Sequence, residues 1–318
     1  MTDLPFSVQK LTSIICGGVF TCCLTQSGRV WLTGSGADQW QTTSDERRPI
    51  QQVAAGWDSG LLLDDRGCVY AFGNLSMLRG HVGAAEVDGH VPLQEAILVQ
   101  HHIQHISSGL QFYFLVPTHA NLPILWTTKP SLQRLPLPTA QGLARIVGGS
   151  RFAIFEYKDG QHRLWGSQQS FDAKAIDAMQ CHGHGSFVSG WQHIGWITPT
   201  GEVQVVGKNS LGQCGVAPQE RGVALHVTDT VALAAGSEHF LALVSANAKA
   251  ESQEDGCMHD AQLFAWGWNE HGNCGITNSV AAECIFTPQA VPLDFGTASQ
   301  VVIAAGCATS FVLVHRNM

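Results

Sequence analysis

The amino-acid sequence predicts an all-β fold, a seven-bladed β-propeller, on three observations. A short apolar stretch ending in glycine recurs seven times, turn glycines keep a fixed spacing inside the recurrences, and charged residues are too sparse for amphipathic helices. The seven openings are 14–17, 53–56, 106–109, 146–149, 188–190, 231–236 and 302–306. Of 318 residues 45% are apolar and 13% charged, with 34 glycines, a balance that suits many short strands joined by tight turns.

Each unit opens on its apolar strand and glycine, then runs through a second strand to a turn glycine. Eleven positions separate Gly17 from Gly28 and six separate Gly28 from Gly34; the same intervals link Gly56, Gly67 and Gly73, then Gly149, Gly160 and Gly166, then Gly190, Gly201 and Gly207. The middle glycine follows a polar run such as Asp64-Asp65-Arg66, where the chain must reverse through positive φ. A short alternating strand follows, as in Val69-Tyr70-Ala71-Phe72 or Leu263-Phe264-Ala265-Trp266, whose residues fit a pleated, half-buried surface. Such a unit cannot cover both its apolar faces alone, and radial stacking supplies the neighbours. The opening glycines are expected where blades crowd, so that a side chain there meets the next blade.

Two units depart from the pattern. The third has Pro117, Pro123 and Trp126 where a turn glycine and its strand are expected, and the seventh has two strands and no outer hairpin before the sequence stops at Met318. Either 4–8 adds a strand to the last blade or the ring closes imperfectly. The whole of 1–318 is read as one propeller domain. The segment 246–261 interrupts the sixth unit and sets Lys249 against Glu251, Glu254, Asp255 and Asp260, so it is expected to be a solvated acidic loop.

The formal charge of -8, without a basic run, argues against a surface that neutralises nucleic-acid phosphates. Residues 1–10 show no charged segment followed by an apolar one, and the longest apolar stretch, 301–314, is too short and interrupted to cross a bilayer. The expected setting is cytoplasmic, with the nucleus as a second compartment. In a reducing compartment the ten cysteines read as small buried hydrophobes.

Chemistry-bearing clusters are few. Cys181-His182-Gly183-His184 and the trio His101, His102 and His105 offer metal-ligating side chains, yet no second cysteine pair completes a four-ligand zinc pattern. No nucleophile elbow and no phosphate-cradling loop is present. The expectation is therefore no catalytic residue, no metal and no cofactor, with the loops left to bind protein. Among the nine tryptophans, Trp31, Trp126, Trp165 and Trp266 take strand positions and read as blade core, whereas Trp57, Trp191 and Trp268 stand in loops. Tryptophan is over-represented among residues that dominate binding energy.

A longer signature unites two units. Gly207, Gly212 and Gly215, in Gly207-Lys208-Asn209-Ser210-Leu211-Gly212-Gln213-Cys214-Gly215, match Gly267, Gly272 and Gly275 in Gly267-Trp268-Asn269-Glu270-His271-Gly272-Asn273-Cys274-Gly275. With its strand and turn, this resembles the repeat of the regulator-of-chromosome-condensation family, whose known members are mostly seven-bladed propellers. Gly56-Trp57-Asp58, Gly236-Ser237-Glu238-His239 and Gly306-Cys307-Ala308-Thr309 add a likeness to the fungal killer-toxin-insensitivity branch. That likeness implies a non-catalytic scaffold. Its partner would be a small zinc- or iron-binding protein, held as a heterodimer, in Elongator-dependent modification of the tRNA wobble uridine and in diphthamide synthesis. The animal secretion-regulating exchange factors share the run Trp-Gly-Trp-Asn-Glu-His, so regulation of a small GTPase is the alternative. Under the scaffold reading the expected partner-binding residues are Trp57, Asp58, Trp268, Asn269, Glu270, His271 and Asn273, with no direct contact to nucleic acid or membrane; the residues do not mark the loop surface that exchange activity needs.

Overall fold

The computed structural model describes residues 11–34, 37–44, 46–78, 89–167, 169–172, 176, 179, 186–217, 227–245, 260–276, 283–296 and 298–316. The chain divides into two compact units, 1–167 and 168–318. Among the described residues it forms seven small antiparallel sheets, four in the first unit and three in the second.

In the first unit, β1 (Leu11–Cys16), β2 (Phe20–Thr25), β3 (Val30–Gly34) and β4 (Ala37–Thr42) pair in chain order. The second sheet runs β5 (Ile50–Ala55), β6 (Ser59–Asp64), β7 (Val69–Asn74), with β8 (His90–Val91) and β9 (Ile97–Gln100) both on β7. The third is β10 (Ile103–Gly109), β11 (Phe112–Pro117) and β12 (Ile124–Trp126); the fourth is β13 (Leu143–Gly148), β14 (Phe152–Tyr157) and β15 (His162–Gly166). The opening strands β1, β5, β10 and β13 coincide with the repeated apolar stretches, and Gly28, Gly67 and Gly160 at the hairpin turns all have positive φ.

The second unit holds three sheets. They are β16 (Phe187–Ser189), β17 (His193–Ile197) and β18 (Val203–Gly207); β19 (Thr230–Ala235), β20 (His239–Val244), β21 (Gln262–Trp268) and β22 (Cys284–Val291); and β23 (Ala298–Ala305) with β24 (Ser310–Arg316). The last sheet has two strands among the described residues, as the short seventh unit implied. Residues 4–8, and 246–259 of the acidic insert, lie outside the described residues.

Stacking of sheet on sheet explains the burial. All six residues of β6 are buried because both its faces are covered: Leu62 packs with Phe20 and Leu24 of the first sheet, while Leu61 and Leu63 pack with Ile106 and Leu115 of the third. Between the third and fourth sheets the contact is aromatic, Trp165 meeting Phe112 and Phe114 edge-on at 5.5 and 5.0 Å between ring centroids. In the second unit one continuous core runs from Val203 and Val205 through Phe240 and Trp266 to Ala298.

The opening glycines sit where the repeat placed them. A Cβ on Gly109 would lie 2.3 Å from the Gly149 carbonyl oxygen, and one on Gly236 would lie 2.6 Å from that of Gly306, each the backbone of the next sheet. The space between successive sheets is instead closed by main-chain hydrogen bonds. Gly18 N–H donates to the Gly56 carbonyl at 3.0 Å, Leu110 N–H to that of Gly149 at 3.0 Å, and Ser237 N–H to that of Gly306 at 2.9 Å.

Two expectations need correction. The third unit keeps its third strand: β12 pairs with β11 through Trp126 opposite Tyr113, and Trp126 is buried, because a longer connection replaces the missing glycine turn. Trp31 is half-buried, unlike Trp126, Trp165 and Trp266, since β3 presents alternate residues to its two faces and position 31 falls on the less covered one. Cys22, Cys23, Cys214 and Cys274 are buried as expected, whereas Cys16, Cys68, Cys284 and Cys307 are only partly covered. All eight are free thiols.

Candidate functional site

The predicted contact residues fall into two groups, one in each unit. In the second unit, β21 ends at Trp268 and the chain turns through Asn269 to Gly275. Asn269 is 2% exposed, and its Oδ1 accepts the Cys274 N–H at 2.9 Å, drawing the loop into a closed ring. The Asn269 N–H in turn donates to the Glu283 carbonyl at 2.7 Å, tying the loop to the start of β22. Asn273, 5% exposed, donates from Nδ2 to the Trp268 carbonyl, and its own carbonyl accepts the Ser310 hydroxyl at 2.6 Å. Asn269 and Asn273 thus order the loop from inside.

Trp268, Glu270 and His271 face outward. The half-buried Trp268 ring donates from Nε1 to the Glu270 carboxylate at 3.2 Å and meets the His271 ring edge-on at 5.0 Å between centroids. Glu270 and His271 are exposed. The result is an aromatic and acidic surface held in one arrangement before any partner arrives, which lowers the ordering entropy of association.

In the first unit, Trp57 and Asp58 form the turn between β5 and β6. Trp57 is 39% exposed, its ring lies over Gly18, and its carbonyl accepts the Val19 N–H at 3.0 Å. Val19 is exposed beside it, so the two make a small apolar patch. Asp58 is half-buried and accepts Asn74 Nδ2 at 2.8 Å, a contact that fixes the end of β7.

A buried polar chain in the second unit was not legible as a site. Gln213 Nε2 donates to the Glu238 carboxylate, whose Oε2 lies 3.9 Å from His193 Nδ1. His239 Nε2 lies 2.9 Å from the Ser310 oxygen. That hydroxyl already donates to Asn273, so the imidazole carries its proton on Nε2. Burial lowers His193 to about 3 and His239 to about 4, and burial also raises the Glu238 carboxyl against the opposing Gln213 bond. The available signal was positional: His193 and His239 stand three residues past an opening glycine, where Phe20 and Phe152 stand in other units.

The histidine trio does not converge. His101 Nδ1 lies 3.5 Å from Cys68 Sγ, while burial, with Arg145 nearby, lowers His105 to about 4. No group of three or more metal-ligating side chains gathers among the described residues, and 181–184 lies outside them. No helix among the described residues is long and apolar enough to cross a membrane.

The comparisons with known proteins agree with this architecture. Residues 260–313 match the family model described as the regulator of chromosome condensation (RCC1) repeat. A secretion-regulating guanine nucleotide exchange factor of Bos taurus is 25% identical over 87% of this chain and 67% of its own length. That of Mus musculus is 25% identical over 81% of this chain and 64% of its own length. The chain therefore spans about two thirds of these relatives. Among solved structures, human WBSCR16 is similar with a TM-score of 0.71 at 18% identity, covering 98% of this chain and 88% of that one. Prp20p of Saccharomyces cerevisiae gives 0.66 at 15% identity, over 96% of this chain and 82% of its own. Residues 260–313 are thus similar to the RCC1 repeat, and the seven sheets of the described residues have the fold of the RCC1-type propellers.

Proposed function

We propose that this chain binds a small GTPase and regulates its guanine-nucleotide exchange. The observation that carries the reading is the reach of the likeness to the bovine exchange factor, which extends over 87% of the chain and so includes loops as well as the matched repeat. The preordered surface of Trp268, Glu270 and His271 and the exposed Trp57 suit a protein partner, since tryptophans in such positions act as anchors. Under this reading the chain supplies no covalent chemistry. It holds a conformation of the GTPase from which nucleotide leaves faster.

The test is affinity capture under native salt with mass spectrometry of what is retained, followed by release of a fluorescent GDP analogue from the captured GTPase. A GTPase is expected, with release accelerated at least tenfold. Trp268→Ala should weaken the pairing by about 2 kcal/mol, roughly thirtyfold, for an interface anchor. A folded variant with unchanged affinity removes Trp268 from the interface. Capture of a small zinc- or iron-binding protein with no GTPase would instead return the scaffold reading carried by Gly56-Trp57-Asp58 and its companion segments, in tRNA wobble-uridine modification and diphthamide synthesis.

A further inference from the structure

The seventh sheet differs from the other six in what lies on its second strand. A third strand pairs with each of β2, β6, β11, β14, β17 and β20. At least four residues of each of these second strands are buried. Among the described residues no strand pairs with the outer edge of β24, and Leu313 is its one buried residue. An open edge of this kind is a template for a further strand.

The register of that strand follows from the neighbouring sheet. Gly306 N–H donates to the Thr309 carbonyl at 2.8 Å, so the facing residues Ala305 and Ser310 exchange no main-chain bonds. Alternation along the ladder then directs the N–H and C=O of Ser310, Val312 and Val314 away from β23. In the sixth sheet Gly236 N–H bonds the His239 carbonyl in the same way, and there Phe240 and Ala242 face Trp266 and Phe264 of β21. Beside β24 lies a cleft of about 610 Å³, whose lining includes Leu241, Leu263, Asn273, Leu293, Ser310 and Val312. In the preceding seam Trp266 of the third strand takes the corresponding place, its ring stacked on Phe240 at 5.3 Å between centroids and its Nε1 donating to the Gln213 carbonyl at 3.0 Å. Asn273 is the counterpart of Gln213, since each directly precedes a cysteine whose N–H an asparagine five residues earlier accepts at 2.9 Å.

We infer that the open edge of β24 accepts an extended, antiparallel strand of a partner protein, with an aromatic side chain of that strand entering the cleft. Main-chain bonds to Ser310, Val312 and Val314 supply affinity, and the pocket for alternate side chains supplies selection. The other sheets define the sequence such a strand needs. Five of their six third strands end on a glycine of positive φ, at 34, 73, 166, 207 and 267. A Cβ on any of these would lie 2.3 to 2.6 Å from the carbonyl oxygen of the turn into the second strand, at Val19, Asp58, Arg151, Gln192 and Glu238. Ala308 holds that turn position in the seventh sheet, two residues past Gly306. The strand therefore carries apolar residues at alternate positions and an aromatic residue followed by glycine, as Val69-Tyr70-Ala71-Phe72-Gly73 and Leu263-Phe264-Ala265-Trp266-Gly267 do. Residues 1–10 contain no glycine and do not have this form. The inference goes beyond the exchange reading and does not depend on it.

The probe is the acetylated peptide Gln-Leu-Phe-Ala-Trp-Gly-Trp, the sequence of β21, titrated into the full chain, with amide hydrogen exchange followed by NMR. The amides of Ser310, Val312 and Val314 should exchange freely in the chain alone and at least tenfold more slowly when the peptide saturates. Two modified peptides leave the protein untouched. N-methylation of the phenylalanine, whose N–H faces β24 in this register, should weaken binding at least tenfold, whereas N-methylation of the alanine, whose N–H points away, should not. Replacing the peptide glycine by valine should weaken it to a similar degree. Absent saturation, equal effects of the two methylations, or slow exchange at the three amides before any peptide is added would overturn the inference, the last by showing that the chain fills its own edge. Capture of a GTPase with no peptide binding would overturn the strand site alone, whereas peptide binding with no GTPase would leave the strand site and overturn the exchange reading.

Discussion

A single methyl group separates the opening glycines from the rest. At Gly109 an added Cβ would lie 2.3 Å from the Gly149 carbonyl oxygen and 2.4 Å from the Phe112 ring, so both backbone and core must move. At Gly142, with φ of +72°, nothing lies within 4 Å of such a Cβ, and only the left-handed backbone resists it. Gly109→Ala should therefore cost about 3 kcal/mol, the upper range of overpacking, and Gly142→Ala about 1 kcal/mol, the ordinary penalty for that conformation. Urea denaturation of the two variants side by side checks the difference, and equal losses would show that the seam is not tight. The recurrence of an apolar stretch ending in glycine made Gly109 legible, because a packing constraint repeats a glycine at the same place in each unit. His193 and His239 were not legible as buried polar groups, since they replace the apolar Phe20 and Phe152 and only the fold shows that no water reaches them.

The loop is the unit that turns a repeat into a surface. Its predicted residues divide by direction. Asn269 and Asn273 point inward and set its shape, whereas Trp268, Glu270 and His271 point outward and are available to a partner. The motif Gly-Trp-Asn-Glu-His-Gly-Asn-Cys-Gly announced the loop but not this division, because consecutive residues in a turn follow no period that tells inside from outside. Asn269→Ala should leave the Cys274 N–H buried without an acceptor and cost about 2 kcal/mol. Asn209→Ala removes the same bond from Cys214 in the preceding sheet and should cost a similar amount. Partner affinity distinguishes them: it should fall with Asn269→Ala, whose loop carries Trp268, and hold with Asn209→Ala once both are compared in the folded state. The third strand of the third sheet shows the opposite limit. Trp126 was legible as core, yet the strand was masked by Pro117 and Pro123, because pairing with β11 outweighs weak local turn chemistry.

At the scale of the whole molecule, buried titratable groups define a pH range for the fold. Burial holds His105 and His239 at about 4 and His193 at about 3, against 6.5 for each in the unfolded chain. Above that ordinary value neither state holds the proton, so these groups leave stability flat. As pH falls below it the unfolded chain binds a proton at each site while the folded chain does not. Stability then drops by about 1.4 kcal/mol per pH unit for each histidine, until the folded pKa is reached and the loss levels off. Glu238, with its carboxyl raised above 4.5, has the opposite sign just above that value and offsets part of the slope there. On the alkaline side burial raises Cys16 to about 11 and Cys23, Cys214 and Cys274 to about 12, from 9.0. Their contribution is intact below the unfolded value and is lost as pH climbs from there towards the folded ones. Urea midpoints should accordingly form a plateau from about pH 6.5 to about pH 9 and decline on both sides. His239→Phe, borrowing the residue found at the same position in the first and fourth sheets, should flatten the acid limb by about 1.4 kcal/mol per pH unit and leave the alkaline limb alone. An acid limb as steep as the parent's would mean that His239 is already protonated in the folded chain, and the buried neutral seam between the sixth and seventh sheets would have to be abandoned.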